Sequence, residues 1–415
     1  MTDIHVEGEA APWAVRAMEH VRALVDEIGP RPSTSKAERA AAEYVYAVMD
    51  ERGLDLDYVR QELFPGLPST YRPLRLCLVM ALVSLGVYPL LLPTSGVLAA
   101  ALGAWAAYSA YSLLTLKDWP LYRLMGKRTS QNTIGIVPPR GVVRRTVVLL
   151  AHADSHRAAL IYSSDRWVSV FSLIVGATFL ALVVNPVAFL LGAATQSLVP
   201  CAVAVVGGLF QLFTLLLVIQ ADLAPYSPGA NDDASGVGVA LALAERLKRE
   251  PLRHTAVWVA ITGCEETWDG GVRAMIDAHR PVLADALWVE FDGVGVGADT
   301  VWLTGEGMLK FDRAHPEAMA AAEAAAARAP DLNARGEPGT LAYTQMGPVH
   351  KAGMRGVGIN QRAGAEGMAH WHRLSDTTAN IELPALEKAF RFGWALLQVW
   401  DEGAAAQDAL ADDQR

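Results

Sequence analysis

The stretch Pro228-Gly-Ala-Asn-Asp-Asp-Ala-Ser-Gly236 sets two adjacent carboxylates, Asp232 and Asp233, in a glycine-flanked turn. A solvated turn does not need both, and side by side they repel unless a cation or proton lies near. Other parts of the chain could meet them. The segment TVVLLAHAD ends in His152 and Asp154, two residues apart and therefore on one face of a strand. An Asp so placed can hold the free ring nitrogen of a histidine whose other nitrogen binds a metal. TAVWVAITG runs into Cys264, Glu265 and Glu266, a second pair of neighbouring acids. ALWVEFDG supplies Asp292, and MAHWHRLSDT offers His370, His372 and Asp376.

Taken singly, each has a plain alternative. His-x-Asp fits any polar strand end, and the Glu pair fits a helix N-terminus, where the macrodipole favours acids. His370 and His372 fit a surface loop. Asp233 at a helix start likewise needs no further role. Together, however, three strand ends and two loops supply imidazoles and carboxylates, the donors that zinc takes while leaving a position for water. Two ions about 3.5–4 Å apart require a bridging carboxylate. That gives PGANDDASG a use, with Asp232 as the bridge and the glycines allowing a tight turn into the next helix.

The elements that must position these groups alternate as in an α/β domain. Helices are expected over 14–28 and 36–53, the second capped by Ser35 or Thr34. Strands are expected at YVRQELF, NTIGIV, TVVLLAHAD, TAVWVAITG, ALWVEFDG and TVWLTG, with helices over 234–249, 269–280, 314–328 and 384–401. Four apolar runs, roughly 76–92, 97–116, 167–190 and 198–219, interrupt this pattern in two pairs. Each is close to the roughly 20 residues that span a bilayer. The 415 residues are 52% hydrophobic and only 19% charged, with a mean hydropathy of +0.23, which fits membrane segments. The expected organisation is a catalytic domain of 1–70, 117–166 and 220–401, transmembrane hairpins at 74–116 and 167–219, and a disordered tail at 402–415.

Arg72, Arg75, Lys117, Arg123, Lys127, Arg128, Arg157 and Arg166 flank the runs on one side, whereas PTSG and NPVAFLLGAATQS carry no Lys or Arg. The positive-inside rule therefore puts the α/β domain in the cytoplasm; the alanine content fits a bacterial source, and the expected location is the bacterial inner membrane. A net charge of -9 speaks against nucleic acid. Cys77, Cys201 and Cys264 suggest no disulfide framework, and the acidic opening MTDIHVEGEAAPW is not expected to be a signal peptide.

The order HAD, GANDDASG, EE, EFDG and WHRLSDT resembles the co-catalytic di-zinc exopeptidases, which include bacterial leucyl aminopeptidases and the glutamate carboxypeptidase II branch. IGPRPSTSKAERAAAEYVYAVMDERGL is similar to that family's first helices, and the resemblance spans roughly 14–70, 130–160 and 225–400. It implies a mixed β-sheet flanked by helices. It also implies one zinc on His152 and Asp292, a second on Glu266 and His372, and Asp232 bridging both. Cobalt or manganese would suit the same donors. Glu265 would be the general base that moves a proton from water to the leaving amine, with Asp154 beside it in the catalytic set. Many relatives have Tyr where Trp371 stands, and Ser-Asp where this chain reads AYTQMGPVHKAG. The expected function is a membrane-integrated aminopeptidase acting on short or hydrophobic peptides, with the peptide and the lipid bilayer as partners and the active site close to the membrane surface. The alternatives are a catalytically silent scaffold or receptor and a single-zinc transferase like glutaminyl cyclase.

Overall fold

The computed structural model describes residues 12–50, 53–90, 94–117, 125–340, 342–364 and 369–413, without the side chains of Asp165 and 404–413. Arg123 and the opening residues 1–11 thus lie outside the described residues. The helices are α1 (Pro12–Arg22), α2 (Lys36–Met49), α3 (Tyr71–Val87), α4 (Thr94–Leu114), α5 (Asp165–Thr195), α6 (Val199–Leu223), α7 (Ser235–Arg249), α8 (Gly270–Leu283), α9 (Pro316–Arg328), α10 (Met346–Lys351) and α11 (Leu383–Asp413). The strands are β1 (Asp57–Gly66), β2 (Arg128–Val137), β3 (Arg145–His152), β4 (Thr255–Thr262), β5 (Leu287–Phe291), β6 (Asp299–Glu306), β7 (Asp312–Arg313), β8 (Arg335–Gly339) and β9 (Arg355–Arg362). The chain divides into two units, one of Met1–Pro68, Lys127–His156 and Tyr226–Arg415, the other of Ser69–Gly126 and Arg157–Pro225.

All the strands belong to the first unit and form one mixed sheet, ordered β1-β2-β4-β3-β5-β9-β6-β7 with β8 beside β6. β4, β3, β5 and β9 run parallel, and antiparallel strands close both sides. The alternation of β3 decides its packing. Val147, Leu149 and Ala151 enter a core shared with α1, α7 and α11, while Val148 and Leu150 enter another with Met275 of α8 and Met346 of α10. Burial of each larger aliphatic side chain stabilises the sheet by about 1.5–3 kcal/mol. β3 has β4 on one side and β5 on the other, so the chain order reverses there. The carboxyl ends of parallel strands at such a switch point open a crevice for ligands.

Ser35 caps α2, its side chain accepting the Glu38 N–H. The first helix widens into a π-helical turn over Ala23–Ile28, and α2 stops at Met49 rather than running to 53. Four elements had no expectation: α10, β7, β8 and β9. β9, RGVGINQR, is almost wholly buried, yet its glycines and polar residues hide the apolar alternation by which a strand is recognised. The expected disordered tail is also corrected, since α11 continues past Glu402 to Asp413. The alanines of GAAAQDALADD are strong helix formers.

The second unit consists of α3 to α6 and a short 3₁₀ turn at Leu160–Tyr162. Among the described residues, three helices are long and apolar enough to cross a membrane: Thr94–Leu114, Arg166–Thr195 and Val199–Leu223. α3, with 17 residues, is not among them, so a fourth span is not shown. Pro89 has no N–H with which to continue the helical ladder. Small residues let the helices approach closely, as in membrane bundles. A Cβ on Gly103 would lie 3.0 Å from the Pro186 ring. Thr178 and Thr214 share a 2.6 Å hydroxyl hydrogen bond between α5 and α6, and Asn185 donates to the Ala204 carbonyl. Leu173, Leu180, Leu190, Val199, Val203 and Leu209 are exposed.

Candidate metal centre

β3 delivers His152 to its carboxyl end, and the chain continues extended through Asp154 to His156. This segment is fastened by Ala153 N–H to the Thr262 carbonyl and Ser155 N–H to the Arg31 carbonyl. Beside it, β4 leads into Glu265 and Glu266. Asp154 fixes that turn: Oδ1 accepts the Glu265 N–H at 3.1 Å and Oδ2 the Glu266 N–H at 3.2 Å. Ser33 adds a 2.6 Å hydrogen bond to the same Oδ2. His152 Nδ1 lies 3.1 Å from the Asp154 carbonyl oxygen and 3.5 Å from Asp154 Oδ1. Asp154 therefore orients both glutamates and the His152 ring.

The glycines of PGANDDASG have steric reasons. Gly229 is left-handed, at φ 69°, and a Cβ there would lie 2.8 Å from Arg31 Nη2. A Cβ on Gly236 would collide with the Phe291 carbonyl oxygen. The Asp232–Asp233 peptide bond is cis. Asp233 is fully buried and accepts the His152 N–H at 3.0 Å and the Gly236 N–H at 3.1 Å. Asn231 Oδ1 accepts the Gly295 N–H and Ser235 Oγ the Val294 N–H, tying the turn to the loop that follows Asp292. Asp376 accepts the N–H groups of Asn231 and Asp232 at 2.6 and 3.2 Å, tying it to the loop of His372.

These fastenings place Asp232 between two histidines. Its Oδ1 is 3.2 Å from His152 Nε2, and its Oδ2 is 3.1 Å from His372 Nε2. His372 Nε2 is also 3.4 Å from Glu266 Oε2, and Glu265 Oε2 is 3.7 Å from His152 Nε2. Two groups of potential metal donors result. His152, Asp232 and Asp292 form one, and His156, Glu266 and His372 the other, with the donor atoms of each group within 4.8 Å of one another. His370 lies apart from both groups, with Nδ1 2.9 Å from Ser375 Oγ. Trp371 stacks on His372 at 4.3 Å between centroids.

The donor set fits divalent cations. Asp154, Asp232, Asp233, Glu266 and Asp292 are all buried, against one buried guanidinium, Arg31, among the described residues. Asp292 Oδ1 is buried with no hydrogen-bond partner. Such a concentration of charge is costly unless it is paired or coordinates metal. Burial raises the Glu265, Glu266 and Asp292 carboxyls, Glu266 to about 7, and the neighbouring acids add to it. Burial works against ionised Asp232 too, but His152 and His372 outweigh it and hold that carboxyl well below its ordinary value. Bound cations would favour the ionised form of all of them.

Arg31, Glu38 and His156 were absent from the expected site. The buried Arg31 guanidinium donates to the carbonyls of Ala153, Pro228 and Gly229, and so holds the His152 loop against the Asp232 turn. Glu38 accepts the Cys264 N–H at 2.9 Å just ahead of the glutamate pair. Its signal was the Ser35-x-x-Glu38 capping pattern. The signal for His156 was the same two-residue period that selected His152 and Asp154. Arg31→Met should lower stability by about 3–5 kcal/mol, since it strips the donor from several buried carbonyls, each costing about 1–3 kcal/mol when left unsatisfied. Denaturation of the full chain in detergent measures this, and a change below about 1 kcal/mol would deny Arg31 the clamping role.

A mixed sheet flanked by helices, with acids and histidines gathered at the ends of its parallel strands, is the fold of the zinc exopeptidases. Residues 214–397 match the model of Peptidase family M28. Among solved structures, a zinc aminopeptidase from Bacillus subtilis is 16% identical, with a TM-score of 0.57, covering 94% of this chain and 95% of its own. A glutaminyl cyclase from Bacteroides thetaiotaomicron is 14% identical, with a TM-score of 0.54, covering 94% of this chain and 99% of its own. A Zn-dependent exopeptidase from Parabacteroides distasonis is 15% identical, with a TM-score of 0.52, covering 94% and 99%. At these identities the likeness is one of fold. No curated protein matches the chain.

Proposed function

We propose that this protein is a membrane-integrated, two-metal exopeptidase of the aminopeptidase type, acting on short or hydrophobic peptides. The observation that carries the reading is the Asp232 carboxylate, whose two oxygens each face a different buried histidine at 3.2 and 3.1 Å. A single-metal transferase like glutaminyl cyclase would need only one of the two donor groups, and a silent scaffold would need neither.

His152, Asp232 and Asp292 would hold one zinc, and Asp232, Glu266 and His372 the other. When bound, such ions polarise a carbonyl and make water a nucleophile at neutral pH. Glu265 does the proton work. Its carboxylate takes a proton from the water that attacks the scissile carbonyl and gives it to the departing amine. A C–O bond forms, the C–N bond breaks, and Glu265 ends as it began. Asp154 serves as a positioning residue, because its oxygens hold the backbone of both glutamates.

The three long apolar helices support anchoring in a bilayer. Arg72, Arg75, Lys117, Arg157 and Arg166, which flank the apolar runs in the sequence, support a cytoplasmic catalytic unit. The reading is tested by incubating detergent-purified protein with short apolar peptides whose amino termini are free or acetylated. Release of the first residue from the free peptides alone is expected. Cleavage of neither set, in protein loaded with zinc, would contradict it.

A further inference from the structure

We infer that His156 is a fourth protein ligand of the second metal position, and that this makes the two positions chemically unequal. The inference rests on the two-metal reading above and adds to it a residue and a division of labour.

Four observations converge on His156. It is buried, and it shares a donor group with Glu266 and His372 whose atoms lie within 4.8 Å of one another. Its Nε2 is 4.0 Å from Glu266 Oε2. Zinc–nitrogen and zinc–oxygen bonds of about 2.0–2.2 Å allow two ligands of one ion to lie up to roughly 4.2 Å apart, so one ion can reach both. The His156 ring also stacks on that of His372, at 3.8 Å between centroids and 23° between planes. An apolar or amide side chain could fill that space, but an imidazole brings a donor atom to the rim of an acidic cluster.

The backbone explains how the ring is held. Ser155 Oγ accepts the Arg31 N–H at 3.0 Å and donates to the Ser227 carbonyl at 3.0 Å. On the far side, the Ser227 N–H donates to the His156 carbonyl at 2.8 Å. His156 is thus fastened on the strand side and on the side of the Asp232 turn.

The consequence follows from counting donors. The second position has His156, Glu266, His372 and one oxygen of Asp232, whereas the first has His152, Asp292 and the other oxygen. Four protein ligands describe a closed, tightly held ion, and three leave a position for water or substrate. The open position lies on the side of His152, whose Nε2 is 3.7 Å from Glu265 Oε2. Exchangeable chemistry therefore concentrates at the first position, and the second serves chiefly to hold and polarise.

The test is zinc binding to the full chain in detergent, followed by chelator competition and elemental analysis, with wild type and His156→Ala compared. Wild type should bind two ions of unequal affinity. His156→Ala should weaken the tighter one by on the order of 100-fold, the scale on which perturbed metal sites lose affinity, and leave the weaker one unchanged. Metal-free wild type and metal-free variant should melt alike. Two ions with unchanged affinities in His156→Ala would overturn the inference and leave the two-metal reading intact. A metal-free variant that melts far below metal-free wild type would overturn it in favour of a packing role. Failure of wild type to bind zinc would overturn the two-metal reading itself.

Discussion

Glu265→Gln is expected to lower kcat by about 10²–10⁴-fold, the range that a positioned general base contributes. The substitution preserves shape, and the Glu265 N–H that donates to Asp154 Oδ1 belongs to the backbone and is untouched. Glu265 lies beyond both donor groups, so metal content should stay at the wild-type level. KM should change little, because an interaction used only in the transition state has been removed. Steady-state kinetics on a cleaved peptide, with elemental analysis of the same preparation, checks both halves. Undiminished turnover would remove Glu265 from the chemistry, whereas lost metal would make it a ligand.

Asp232→Ala should be the most damaging change to the centre itself. Its two oxygens face His152 and His372. Without it, each position loses a charged donor at once, so both ions should bind more weakly and activity should fall below detection. The metal-free fold should survive better than the activity. Arg31 continues to clamp the Pro228 and Gly229 carbonyls, and Asp376 still accepts the backbone N–H groups of residues 231 and 232. Chelator competition and melting of the metal-free protein separate these effects. Retention of two ions at wild-type affinity would show that Asp232 is no bridge.

The parts of this account legible in the sequence are those with a short period or a paired acid. β3, β4 and β5 announce themselves through alternating or continuous apolar residues, and each ends near a charged group that the sheet brings together. The turn at 228–236 is legible because glycine and adjacent acids have few other reasons to coincide. β9 is not legible, although it lies at the middle of the sheet between β5 and β6. Gly356 and Gly358 occupy places where a Cβ would crowd Met346, a packing reason that is invisible along the chain. Arg31 was hidden for a related cause. Its partners are backbone carbonyls from segments over a hundred residues away, and carbonyls leave no mark in a sequence. The membrane segments show the opposite bias. Composition marks an apolar run at 76–92, but the helix ends at Val87, where Pro89 intervenes.

The central claim is that this chain holds two divalent ions on one carboxylate bridge. The most direct measurement is zinc per chain by elemental analysis of the detergent-purified, remetallated protein after excess metal is removed. The account predicts about two ions per wild-type chain, because each donor group offers three ligands and Asp232 faces a histidine of each. A value of one or none in folded protein would contradict it.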